Sequence, residues 1–206
     1  MSQSNKTIVP HEKEVNVVKV APNEKLIATG SNDKTIKIFH RRTLELKVQL
    51  KGHKRGIWDI AFNKFEKVLA SASGDATIKL WNLEDGSVTS TFEGHLSSVV
   101  RIGWLSYGNQ LISGSSDGVI KLWNTRKGLC LNTYEKHDGR LWSLDVYETN
   151  EKFMVVSGDN NSLVCFWEDC TKEEVDKIAL ELQGKVNFFP LKPKGDADAR
   201  RSGADQ

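Results

Sequence analysis

Charge of one sign is missing from this sequence. Its 29 Lys and Arg residues stand against 27 Asp and Glu, a net charge of +2. That balance excludes the one-signed field by which a protein grips nucleic acid through bulk charge. The surplus lies at residues 185 to 206, which hold five basic and three acidic side chains, so the remainder is neutral. Cysteine is scarce: Cys130, Cys165 and Cys170 form an odd set with no C-x-x-C pair, which excludes a disulfide framework and offers no zinc site. A reducing compartment is expected. No apolar run approaches the roughly 20 residues of a membrane-spanning helix. The opening MSQSNKTIVPHEKE lacks the apolar centre of a secretory signal, so cytosol or nucleus is expected. No GxxxxGK[ST] loop and no GxGxxG after a strand occurs, which leaves nucleotide chemistry without support.

What the sequence has is repetition. His11, His53, His95 and His137 recur at a strict interval of 42 residues, a period that belongs to stacked repeat architectures. Asp33, Asp75 and Asp117 each follow their histidine by 22 residues, and Phe39, Trp81 and Trp123 by 28. In the fourth repeat the aromatic, Trp167, comes 30 residues after His137. Two inserted residues, placed in the loop around YETNEK, make Asn161 the equivalent of the aspartates. Four residues before Asp33, Asp75, Asp117 and Asn161 stand Thr29, Ser71, Ser113 and Ser157, hydroxyl residues all.

The second repeat divides into GHKRGIWDIAF, KVLASASGD, ATIKLWNL and SVTSTFEGH. These are four short runs of β-formers separated by turn residues, and SGDAT and SSDGVI supply the Gly and Asp of a tight hairpin. An all-β chain of four small antiparallel sheets follows, with repeats at about 11–52, 53–94, 95–136 and 137–170. Residues 5–10 then read as an outer strand without a sheet of its own, and the fourth repeat lacks an outer strand. Thr171 and Glu174 form a capping box, and Val175, Ile178, Ala179 and Leu182 follow at helical spacing, which predicts a short amphipathic helix over 171–184. Residues 185–206 mix Pro, Gly and charge without a period, the composition of a disordered tail.

The motifs LKGH, FEGH, TIKLWN, VIKLWN and VCFWED resemble the WD-repeat family over residues 11 to about 170. The resemblance implies a β-propeller with one four-stranded blade per repeat. Since such propellers usually have more than four blades, part of a larger ring is expected, with sticky faces at both ends. It also implies a buried hydrogen-bonded network of histidine, strand hydroxyl, turn acid and indole. The sets are His11, Thr29 and Asp33; His53, Ser71, Asp75 and Trp81; His95, Ser113, Asp117 and Trp123; and His137, Ser157, Asn161 and Trp167. The first and fourth blades depart from the pattern, with PH and Phe39 in one and KH and Asn161 in the other, and should lack part of the network.

Ser71, His53 and Asp75 together also have the composition of a nucleophile, base and orienting acid. Their recurrence in repeat after repeat argues for structure, because a catalytic constellation occurs once. No catalytic residues, cofactor or small-molecule substrate are expected. With the histidines in separate blades and no Cys or carboxylate at ligand spacing, no metal is expected either.

Binding candidates lie beside the first strands. Trp58 and Trp142 follow apolar Ile57 and Leu141, and alternation turns them the other way; the resemblance puts that position near the upper rim of the central channel. Lys54, Arg55, Arg101 and Arg140 flank them. Trp and Arg are enriched in binding hot spots, whereas the structural alternative packs both indoles between blades and leaves the basic residues as solvated loop charges. Such a surface suits RNA and an acidic peptide equally.

The runs LKGHKRGIWDIAF, LASASGDATIKLWNLEDGSVTSTFEGHLSSVVRI and SGSSDGVIKLWNTRKGLCLNTYEKHDGRLWSL are similar to the transducin-β-like WD proteins of the small-subunit processome. FWEDCT adds to the likeness. It implies a nucleolar scaffold in processing of precursor ribosomal RNA toward 18S, assembled with other WD-repeat proteins, with small nucleolar RNA or precursor RNA met directly or through them and no membrane. Against it stand the missing first propeller and a tail unlike the helical C-terminal domain of those proteins. A WD adaptor of another complex, such as a ubiquitin-ligase substrate receptor or a signalling scaffold, is the competing reading.

Overall fold

A computed structural model describes residues 6–105, 108–148, 153–168 and 187–190. Blade 1 comprises β1 (Val15–Val20), β2 (Leu26–Ser31), β3 (Thr35–His40) and β4 (Leu46–Lys51); blade 2 comprises β5 (Ile57–Phe62), β6 (Val68–Ser73), β7 (Ile78–Asn82) and β8 (Val88–Phe92). Blade 3 holds β9 (Val99–Leu105), β10 (Gln110–Ser115), β11 (Val119–Asn124) and β12 (Leu129–Glu135), and blade 4 holds β13 (Leu141–Glu148), β14 (Phe153–Asp159), β15 (Val164–Glu168) and β16 (Asn187–Pro190). Within each sheet the strands lie in chain order. All pairings are antiparallel except that of β16, which runs parallel to β15. No helix among the described residues is long and apolar enough to cross a membrane.

The second strand of a blade is buried on both faces, so it reads as a near-continuous run of apolar and small residues, LIATGS, VLASAS and QLISGS, rather than as an alternation. The outer strands β4, β8 and β12 alternate and are largely exposed. Three apolar clusters hold the sheets together, one between each pair of successive blades. Ala28, Ile36, Ile38 and Leu50 on the back of blade 1 meet Ile57, Ile60, Leu69 and Trp81 on the front of blade 2. Blade 2 packs on blade 3 in the same way, through Ala70, Ile78, Leu80 and Phe92 against Val99, Ile102, Leu111 and Trp123. Blade 3 meets blade 4 through Ile112, Ile120, Leu122 and Tyr134 against Leu141, Leu144, Val155 and Trp167. First strands contact first strands along this series, β1 to β5, β5 to β9 and β9 to β13, and among the described residues no comparable contact joins β13 back to β1. The four blades form an open arc.

Polar staples reinforce the apolar joints. Asn16 donates to the Ile57 carbonyl at 2.8 Å, tying blade 1 to blade 2. The Trp104 indole donates to the Ala61 carbonyl at 3.0 Å, and buried Asp59 accepts the Ile102 N–H at 3.1 Å, tying blade 2 to blade 3.

The ends differ from the sequence-based expectation. Residues 6–10, read as an outer strand, carry no strand. The outer strand of blade 4 exists and comes from Asn187–Pro190, inside the segment read as a tail; Asn-Phe-Phe-Pro is locally apolar, and β15 offers an open edge to pair with. The rest of that segment and the helix expected over 171–184 lie outside the described residues.

Glycine sets one of these joints. A Cβ on Gly114 would stand 2.7 Å from Leu141 Cδ2 of the next blade. Overpacking of this kind costs about 1–3 kcal/mol, so Gly114→Ala is expected to lower the chemical denaturation midpoint by a corresponding amount, and an unchanged midpoint would show that the joint can relax.

Candidate functional site

Each blade is pinned by a chain of buried polar groups, and blade 2 shows it complete. Trp81 donates its indole N–H to Ser71 Oγ at 2.8 Å, and Ser71 Oγ lies 2.7 Å from His53 Nε2. His53 Nδ1 lies 2.9 Å from Asp75 Oδ2. Since Ser71 receives the indole proton, the network assigns its own proton to Nε2, which leaves Nδ1–H to donate to the carboxylate. Asp75 also accepts the Lys54 N–H at 2.7 Å, the Thr77 N–H at 3.0 Å and the Thr77 hydroxyl at 2.7 Å. Burial works to raise the Asp75 carboxyl, but bonds from His53, Thr77 and the Lys54 N–H outweigh it and hold the group well below the usual carboxylate range.

Blade 1 keeps all of this but the indole. His11 meets Asp33 at 2.8 Å and Thr29 at 2.7 Å, Thr35 takes the place of Thr77, and apolar Phe39 fills the aromatic position. Against the opposing effect of burial, bonds from Thr35, His11 and the Thr35 and Glu12 N–H groups bring Asp33 down to about 2.

Blade 3 breaks the chain at one link. His95 reaches Ser113 at 2.7 Å and Trp123 donates to Ser113 at 2.8 Å, but buried His95 Nδ1 has no hydrogen-bond partner. Asp117 turns instead to the Ser115 hydroxyl. The residue two after the aspartate explains this, for Thr35 and Thr77 hold their aspartates with a hydroxyl that also lies 3.3–3.4 Å from the histidine, whereas blade 3 has Val119, which offers only its backbone N–H. Burial pushes His95 down to about 4, with Lys121 adding to the effect and Asp117 opposing it.

Blade 4 corrects the sequence alignment. His137 pairs at 2.9 Å with Asp159, not with Asn161, while its other links to Ser157 at 2.7 Å and from Trp167 at 2.8 Å follow the pattern. The two extra residues lie between His137 and Ser157, so that Asp159, two beyond the hydroxyl, comes within reach. In blades 1 and 2 the residue there is Ser31 or Ser73, which accepts the N–H of the aspartate. Asp159 does both jobs. It accepts the Asn161 N–H at 2.9 Å and the Leu163 N–H at 3.0 Å in addition to pairing with the imidazole, and these bonds lower its carboxyl against the effect of burial.

These chains are closed to solvent. The side chains of His11, His53 and His137 are fully covered and Ser71, Ser113 and Ser157 are buried, so no substrate reaches them. Cys165 is likewise buried, its thiol pushed up to about 11 by desolvation. Among the described residues no three His, Cys, Asp or Glu side chains gather as metal ligands.

The exposed candidates sit elsewhere. Trp142 is 50% exposed and carries the Arg140 guanidinium 4.4 Å above its ring, a cation–π pair. Asn160 fixes Arg140 from both sides, accepting its N–H at 2.7 Å and donating to its carbonyl at 3.0 Å. Trp58 is half-buried, Arg101 is half-buried with its guanidinium on the Val100 carbonyl at 2.8 Å, and Lys54 and Arg55 are exposed. The last two line a shallow cleft of about 450 Å³ with Gly74, Ser97, Ser98 and Leu96. Leu96 stands almost wholly in solvent and was missed in the sequence, as was Asp59, whose one signal was an acid inside the apolar strand IWDIAF.

Residues 2–40, 44–82, 86–124 and 128–168 match the family described as WD domain, G-beta repeat. The chain belongs to the WD-repeat family. From the second onward, the matches begin with the outer strand of one blade and continue through three strands of the next, so each unit of sequence staples two sheets. Among curated proteins, U3 small nucleolar RNA-associated protein 13 of Saccharomyces cerevisiae is 47% identical over 51 residues, 25% of this chain and 6% of that protein. Transducin beta-like protein 3 of Mus musculus is 42% identical over 52 residues, 25% of this chain and 6% of its own length, and the Homo sapiens protein is 46% identical over 48 residues, 23% and 6%. The chain thus spans a small part of the length of these relatives. Among solved structures, the computationally designed Ika4 protein superimposes with a TM-score of 0.69 at 26% identity, over 81% of this chain and 98% of that one. The designed Ika8 protein gives 0.66 at 25% identity, over 76% of this chain and 46% of that one.

Two predictions follow from the polar chains. Asp75→Ala and Asp159→Ala each strip a buried imidazole of its partner and should cost about 2–3 kcal/mol, whereas Asn161→Ala should stay within about 0.5 kcal/mol; denaturation midpoints check this, and a costly Asn161→Ala would restore the original alignment. Val119→Thr should return Asp117 to His95 and stabilise by about 1 kcal/mol. Free His95 titrates near 6.5 and folded His95 near 4, so the unfolded chain binds the extra proton between those values and stability falls as pH drops through that window. Val119→Thr should raise the folded value, visible in an NMR titration of His95, and blunt that acid loss.

Proposed function

We propose that this chain is a non-enzymatic WD-repeat scaffold of the nucleolar small-subunit processome, acting in the processing of precursor ribosomal RNA toward 18S in company with other WD-repeat proteins. The observation that carries the reading is the 47% identity over 51 residues to a protein named for its association with U3 small nucleolar RNA. The relatives named transducin beta-like protein 3 add to it. The geometry supports a binding role: the polar groups that resemble a catalytic set are sealed inside the blades, while an indole and a guanidinium stacked together face solvent at Trp142 and Arg140. Near-neutral overall charge favours protein contacts, with RNA held chiefly through the partners. The nucleus, and within it the nucleolus, is the place where the chain works.

The test is a pull-down of tagged chain from nuclear extract, with proteins identified by mass spectrometry and small nucleolar RNA by hybridisation. Other WD-repeat proteins together with U3 RNA are expected. A Trp142→Ala chain should fold normally and lose more than tenfold of that recovery, since exposed aromatic anchors of this kind commonly carry 2 kcal/mol or more. Recovery of ubiquitin-ligase or signalling subunits in place of processome proteins would overturn the assignment.

A further inference from the structure

The arc has two unlike ends, and each repeats a surface that the interior covers three times. At one end, nothing among the described residues covers the front of blade 1. Val15 and Val18 are 43% and 57% exposed, whereas their equivalents Ile57 and Ile60, Val99 and Ile102, and Leu141 and Leu144 are all buried against the preceding blade. Ile27 is half-buried where Leu69, Leu111 and Val155 are fully covered. At the other end, Val164 on the back of blade 4 is 48% exposed and Val156 half-buried, while Ile36, Ile78 and Ile120, the counterparts of Val164, are fully covered.

The two ends also match in detail. Ile57 of blade 2 seats on Gly30 of blade 1, its Cγ2 2.7 Å from where a Cβ would stand, and Leu141 of blade 4 seats on Gly114 of blade 3 at the same distance. Blade 4 has a glycine at that position too, Gly158, and a Cβ there would meet only Ser143 and the Leu163 carbonyl of its own blade. The socket is built, and among the described residues no blade fills it. Its natural occupant by shape and chemistry is the residue equivalent to Ile57 and Leu141 at the front of blade 1, which is Val15.

We infer that the front of blade 1 docks on the back of blade 4 of a second copy of this chain, Val15 in the Gly158 socket and Val18 beside Val164, so that two copies close one ring. A head-to-tail contact of this kind closes into a ring if its rotation permits and otherwise grows into a filament. Closure by two accords with the match to the designed Ika8 chain, of which this arc covers 46%, leaving a remainder about the size of a second arc. Both joints of the ring are identical, and each buries the apolar residues that the internal joints bury. This inference stands apart from the processome assignment, which concerns the rim.

Sedimentation velocity on the full chain, as wild type, as Val18→Lys and as Val164→Glu, tests it. Both positions are exposed, so circular dichroism should show intact folding. The wild type is expected at the mass of two copies. Each variant alone should run at the mass of one, because both of its joints then face a charge with valine. Equimolar mixing of the two variants should restore the two-copy mass, since one joint is then wild type and in the other a lysine meets a glutamate. A wild type that stays monomeric at tens of micromolar, a mass that climbs without limit as concentration rises, or a pair that survives Val18→Lys would each overturn the proposal.

Discussion

A blade of this protein has two apolar faces and no way to hide both by itself. Four short strands make a sheet too small to fold over on its own side chains, so each blade is stable only while sandwiched. The rest of the structure follows from that constraint. It dictates second strands without polar alternation, small residues where a neighbour's side chain must sink in, and first strands that touch first strands around an axis. It also explains why the outermost strands vary and face water: they alone lie beyond the reach of the next sheet.

Stacking apolar faces does not by itself fix the turn that joins the second and third strands, and this is where the buried polar chains act. A hydroxyl held between an indole and an imidazole, with the imidazole held by a carboxylate, links the middle of the sheet to its hairpin through groups that would each be costly to bury unpaired. The four blades satisfy this demand unequally. Blade 2 meets it in full, blade 1 does without the indole, blade 3 leaves one imidazole nitrogen unpaired for want of a hydroxyl, and blade 4 meets it with a different acid. Departures from the repeat are therefore distributed in the hydrogen bonding while the apolar joints stay uniform.

The repeat made the architecture legible, because His, Asp and Trp at fixed spacing fix register, strand count and blade order together. Side-chain partners were legible only where the spacing held. Trp167 and a two-residue insertion place Asn161 in line with the aspartates, with Ser157 four residues earlier as the check, a count that places backbone correctly but says nothing of which side chain lies nearer the imidazole; Asp159 takes the role because an ionised acid accepts from more donors than an amide. The break at His95 hinges on Val119, a residue outside the motif, and no count of spacings registers a missing hydroxyl. The strand at Asn187–Pro190 is hidden by its surroundings, since two phenylalanines among charges, Pro and Gly read as a tail until an open sheet edge is there to receive them. Asp59 shows the opposite failure: its strand was recognised and its role across the joint was not, because partners in another blade leave no local trace.

The double duty of Asp159 has an evolutionary side. In blades 1 and 2 the hairpin is held by two side chains, a serine and an aspartate. In blade 4 one residue carries both tasks, so the Asn161 side chain is spared the link to the imidazole while neighbouring Asn160 holds Arg140, whose guanidinium lies over Trp142. A turn with one side chain spared that task, next to a stacked indole and guanidinium, is ground on which a change of side chain can be tried. The blade that looks most degenerate in the repeat thereby has a turn side chain to spare beside its exposed aromatic.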